Sequence, residues 1–170
     1  MSLDALKDFS NKLLSKKDAA HDSTHIERII GLCSIIAPYE ADTELISQAA
    51  CFHGLLREEK NIRDFLASSG LDSSRIDKII VTVRNARSVA EPNTIEEKVL
   101  HDANILEGLG AIGIARAFTK GGYEHQTLSE TVEFMKKNME RKLYTKKAKE
   151  IAEERKLLMK NFLKILEKEL

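Results

Sequence analysis

The sequence predicts an all-α fold, a single irregular helical bundle with long C-terminal helices, and three features predict it. Apolar residues recur at the 3.6-residue spacing of a buried helix face in nearly every segment. The one strand-like run, Ile79-Ile80-Val81-Thr82-Val83, lies inside a longer helical pattern that includes Ile76. Start and stop signals bracket the periodic segments: Thr94 with Glu97 and Thr127 with Glu130 make capping boxes, while Pro38 and Gly70 end helices.

In chain order, a first helix is expected over about 3–15. A second runs from about Asp22 to Ala37, with Ile26, Ile29, Ile30, Cys33 and Ile36 on one face. A third follows over about 42–56, and a fourth ends at Gly70. Asp72 or Ser73 caps a fifth that reaches about Asn85, and the polar stretch 87–93 is a loop. Thr94 opens the sixth. Gly108 to Gly113 form a glycine-bearing turn into a seventh that stops at Gly121-Gly122. From Thr127 to Leu170 amphipathic helices run out, broken near Tyr144-Thr145. There is no internal repeat and no linker, so residues 1–170 are expected to pack as one domain.

Composition agrees with that reading. The 170 residues suffice for one self-supporting core, and 42% hydrophobic with 32% charged residues are globular proportions. Eight Gly and two Pro exclude a collagenous or linker-rich chain. Lys plus Arg equal Asp plus Glu at 27 each, which excludes a general nucleic-acid binder. The balance is uneven along the chain: residues 135–170 hold 12 Lys/Arg against 6 Asp/Glu, and the rest is acidic in compensation. That basic face reads first as a solvated surface. Cys33 and Cys51 fall in apolar helical patterns and read as two buried thiols of a reducing compartment. Neither a signal-peptide core nor an apolar run of membrane-spanning length is present, so a cytoplasmic location and no membrane partner are expected.

Four of the five histidines stand beside other potential ligands: His21-Asp22 with His25, then His53, then His101-Asp102 with Asn104. On a helical projection His53 falls between Ile46, Ala49 and Ala50, His25 falls beside Ile29 and Leu32, and Asp102 falls in the stripe of Ile95, Val99, Leu106 and Leu109. An ionised carboxylate in such a stripe must be paired or bound to a metal. Two imidazoles and a carboxylate from three helices suit one divalent ion, Mn, Fe, Co, Ni or Zn, that activates water. The plain alternative is that each is a satisfied core polar group.

The order His21-Asp22-Ser23-Thr24-His25-Ile26-Glu27-Arg28, then His53, then His101-Asp102-Ala103-Asn104-Ile105-Leu106-Glu107-Gly108-Leu109-Gly110-Ala111-Ile112-Gly113-Ile114-Ala115-Arg116 resembles the HD-domain metal-dependent phosphohydrolase superfamily over about residues 19–120. The Ala-Ile-Gly-Ile-Ala-Arg run and the basic C-terminal helices resemble a bacterial and archaeal branch of predicted phosphohydrolases. The resemblance implies an HD-type helical domain and hydrolysis of a small phosphorylated substrate, a nucleotide or nucleoside monophosphate. It places a divalent metal on His25, on His53 and on a later carboxylate. His21 and Asp22 would orient water or support the ligands, although Asp22 equally suits a helix cap. Arg28, Arg116 and Lys120 are the cations nearest the motifs and the candidates to bind the phosphate, with Arg116 also suited to pairing a buried acid. The expected partners are that small phosphorylated molecule and a second copy of the chain, as a homodimer.

Two positions depart from the pattern. Gly54 stands where Asp follows the second His, and Asn104 stands where the ligand Asp is expected. Gly54 offers no donor, and Asn104 offers only a neutral carbonyl oxygen. Asp102 and Asn104 project about 160° apart, so both cannot serve one centre. The apolar stripe favours Asp102, and the resemblance favours position 104. These departures motivate a second reading, a catalytically degenerate HD-domain protein that binds a nucleotide or a protein partner without turnover.

Overall fold

Side-chain caps begin five of the helices. Asp42 accepts from the N–H of Leu45, Asp72 from Arg75, and Thr145 from Ala148, while Thr94–Glu97 and Thr127–Glu130 form complete capping boxes. Each such cap satisfies backbone donors that the helix leaves open and stabilises by about 1 kcal/mol. The structure, a computed structural model, describes residues 1–14, 23–87 and 89–170. Among them are nine α-helices: α1 Leu3–Leu14, α2 Ser23–Ile36, α3 Thr43–Cys51, α4 Glu59–Ser68, α5 Ser73–Asn85, α6 Ile95–Glu107, α7 Gly110–Tyr123, α8 Leu128–Met139 and α9 Lys146–Glu169. No strand occurs among the described residues.

Helix α6 is the hub, packing on α2, α3, α5, α7 and α9. Its Val99, Leu100, Ala103 and Leu106 are fully buried against Ile26 and Ile29 of α2, Ile46 and Ala50 of α3, and Ile79 and Ile80 of α5 within one apolar core. Each buried aliphatic side chain contributes about 2 kcal/mol. The run Ile79–Val83 is helical, within α5, because tertiary burial of Ile76, Ile79, Ile80 and Val83 on one face overrides β-propensity. Helix α7 meets its neighbours closely at two glycines: a Cβ on Gly113 would stand 2.3 Å from the Gly108 carbonyl oxygen in the turn after α6, and one on Gly121 would stand 2.3 Å from Oγ1 of Thr131 in α8. Helix α7 continues two residues past Gly121, so that glycine serves packing and does not end the helix as its place in the sequence suggests.

The third helix is shorter than its apolar periodicity predicts. It ends at Cys51, and Phe52, His53 and Leu55 donate to carbonyls three residues back. Gly54 then takes φ +75°, a left-handed conformation that glycine adopts without strain, and turns the chain away.

Candidate functional site

That turn moves His53 off the centre of a helix face and into a half-buried position after α3. The helical projection is corrected here, because it assumed that α3 continued. His25, in the first turn of α2, is buried, and its ring centroid lies 5.9 Å from that of His53 at a tilt of 58°. The two imidazoles are therefore brought together. His21 and Asp22 lie outside the described residues.

Helix α6 divides its two candidate ligands. Asp102 is fully buried, and both of its oxygens accept the N–H of Tyr144 at 3.0 Å. Oδ2 also takes the N–H of Thr145 at 2.6 Å and its hydroxyl at 2.8 Å, and Nδ1 of His101 lies 3.3 Å from Oδ1. Of the two alternatives the sequence left open at 102 and 104, Asp102 is engaged by the backbone N–H groups of Tyr144 and Thr145 at the entry to α9, where the helix dipole favours an anion. Asn104 points the other way. It lines a 470 Å³ cavity with His53, Gly54, Leu56, Arg57, Arg87 and Val89. It also lines a second cavity of 300 Å³, walled in part by Arg116, Lys120, Phe134, Asn138 and Arg141. Asn104 thus stands where two cation-lined cavities meet.

Behind this junction lies Glu107, 2% exposed, at the end of α6. Its Oε1 lies 3.0 Å from Nδ1 of His25 and accepts from Nε of Arg28 at 2.9 Å, and its Oε2 pairs with Arg116. Arg28 also donates to the hydroxyl of Thr24. Arg116 accordingly has the buried acid that its sequence context allowed, and it also lines the smaller cavity. Lys120 lies 3.6 Å from Glu124 and 5.1 Å above the Phe134 ring. Glu58 and Glu59 belong to local pairs: Glu58 accepts from Asn61, and Glu59 binds Arg63 and Arg84. His125 is exposed in the turn after α7.

Sequence reasoning gave no role to Glu107, Arg57, Arg87, Asn138 or Arg141. For Glu107 a signal existed, since a carboxylate in the last turn of a helix opposes the dipole and needs cations to hold it there. Asn138 and Arg141 follow in the basic segment that reads as surface, and only the folding of α8 onto α7 brings them to Asn104.

The metal expectation can be tested on this donor set. His25, His53 and Asn104 are two imidazoles and a neutral amide, and no group of three or more His, Cys, Asp or Glu among the described residues converges to hold a metal. The described residues do not by themselves fit a divalent ion, which needs anionic or further nitrogen donors. No described helix is long and apolar enough to cross a membrane.

The chain has the fold of the HD-domain superfamily. No family model matches it. It is similar to YpgQ of Bacillus subtilis, 29% identical over 188 aligned residues that span 97% of this chain and 92% of YpgQ. The crystal structure of YpgQ in complex with ADP superposes with a TM-score of 0.82 and 25% identity, covering 99% of this chain and 98% of that one. An HD-superfamily hydrolase from Bacillus thuringiensis superposes with a TM-score of 0.77 and 25% identity, covering 98% and 95%.

Proposed function

We propose that this chain binds a nucleoside phosphate at the Asn104 junction through cationic side chains, without a divalent ion and without metal-dependent turnover. One observation carries the reading: among the described residues no carboxylate lines either cavity, whereas Arg57, Arg87, Arg116, Lys120 and Arg141 do. These cations attract a phosphate chain, which guanidinium groups recognise through paired N–H donors. The substitutions at 54 and 104 are consistent in charge. In the superfamily pattern two carboxylates balance one divalent ion, so losing both and dispensing with the ion leaves the local balance unchanged. The ADP complex of YpgQ supports the ligand class.

The test is calorimetric titration of ADP into the purified chain in EDTA and again with excess Mn. Equal affinity in both, with no release of phosphate from ADP or ATP, is the expected result. Binding that requires Mn, accompanied by phosphate release, would replace this reading with that of a metal-dependent phosphohydrolase.

A further inference from the structure

Glu107 is placed unlike any other acid among the described residues. It is buried at the junction of α2, α6 and α7, and it meets one group from α2 that faces His53, a second from α2 and one from α7 that lines the smaller cavity. Its Oε1 accepts from Nε of Arg28 and lies 3.0 Å from Nδ1 of His25, and its Oε2 forms an ion pair with Arg116. One carboxylate faces guanidinium groups of both α2 and α7, and the second of these, Arg116, also lines the smaller cavity.

Two consequences follow. The 3.0 Å separation places Nδ1 of His25 beside an anionic oxygen, which favours the proton on that nitrogen because a carboxylate only accepts. The ion pair with Oε2 also restrains Arg116, which otherwise loses rotamer freedom on meeting an anion. We infer that Glu107 is the positioning residue of the cleft, one carboxylate that orients the His25 ring and presents Arg116 to the ligand's phosphate, so that the imidazole wall and the anion pocket are coupled. The part concerning phosphate rests on the proposed nucleotide binding.

Glu107→Gln tests this, since an amide carries no charge to hold the His25 ring and the two guanidinium groups, and its NH₂ group opposes them. In long-range ¹H–¹⁵N spectra at fixed pH the Nδ1 resonance of His25, assigned with His25→Asn, should leave its wild-type position. ADP affinity should fall by about tenfold, the loss expected when a charged anchor is no longer preorganised. Arg116→Ala should weaken ADP comparably, and adding Glu107→Gln to it should cost less than a further twofold, because Glu107 acts through Arg116. A purely structural Glu107 would give additive losses and an unmoved His25 signal. Should Glu107→Gln fail to fold, Arg116→Ala alone decides: its side chain is 23% exposed, and its removal should still shift the His25 Nδ1 resonance through the shared carboxylate. An unshifted resonance, or unchanged or tighter ADP binding by folded Glu107→Gln, overturns the inference. If wild type binds no ADP, the nucleotide reading fails while the His25 resonance in Arg116→Ala still tests the coupling.

Discussion

The carboxylate of Asp102 accepts both the N–H and the hydroxyl of Thr145, at 2.6 and 2.8 Å, so a residue in the middle of α6 holds the residue that caps α9. Thr145 in turn accepts from Ala148, and the three residues form a continuous polar link from the buried hub to α9. Its contribution to stability comes from charge-assisted hydrogen bonds in a dry environment, each stronger than a neutral bond.

Asp102→Asn should therefore act on stability and not on the ligand. It keeps the shape but turns an NH₂ group toward backbone donors, at a cost of about 3 kcal/mol. For a chain of this size that lowers Tm by about 6–12 °C. Thermal melting checks the loss, and calorimetry on the folded variant should return wild-type ADP affinity. Asp102→Asn that melts normally yet loses the ligand would place Asp102 in the site after all.

The two thiols should be silent in the native state. Cys33 and Cys51 are free and buried. Burial pushes the Cys51 thiol up to about 12 and raises Cys33 as well, so neither forms the reactive thiolate near neutral pH. A thiol reagent such as DTNB should label neither without denaturant and both in 6 M guanidinium, and fast native labelling would contradict their burial.

Helices were legible because their signals are local. Pro38, Gly70, Thr94, Thr127 and Thr145 mark ends that the structure places within a residue or two. The end of α3 was not, since Phe52 and Leu55 continue the apolar period while Gly54 alone diverts the backbone. In the candidate site, the sequence brought out the histidines and the divergence of Asp102 from Asn104, but not which of the two faces the cleft. That choice is made by backbone N–H groups of Tyr144 and Thr145, more than 40 positions away, and a backbone donor has no sequence signature.

Acid should weaken the α3–α5 contact. The Arg75 guanidinium, donating to Asp42 at 2.6 Å, and then the N–H of Leu45 hold the Asp42 carboxyl below the usual carboxylate range against a lesser opposing effect of burial. A depressed folded-state pKa means that the contribution is fully present above the unfolded value of about 4 and is lost as pH falls through the folded one. Urea unfolding of Asp42→Asn should show lower stability than wild type at pH 7, with the two converging as the pH falls below the ordinary carboxylate range. A constant gap between the curves would mean that the charge of Asp42 contributes nothing.

Restoring the two absent carboxylates should convert one mode of binding into the other. Position 54 is exposed, and a Cβ there would meet no atom of the described residues within 4 Å, so the cost of a side chain is conformational. At φ +75° Gly54→Ala should lose about 1 kcal/mol, and Asp, which tolerates left-handed backbone better than most residues, no more than that. Asn104→Asp is nearly isosteric and faces the cavity that His53 lines. Together the two changes add two negative charges beside two imidazoles, a donor set that suits Mn or Zn. Gly54→Asp/Asn104→Asp should take up about one equivalent of metal per chain where wild type takes up none, and it should bind ADP about tenfold or more weakly in EDTA, because the new carboxylates repel phosphate. Metal should then restore the affinity. Metal analysis after dialysis and paired calorimetry with and without Mn read both effects, once melting shows that the variant is folded. Wild type that already retains stoichiometric metal, or a double variant that binds ADP in EDTA as wild type does, would show that positions 54 and 104 do not set the charge of the cleft.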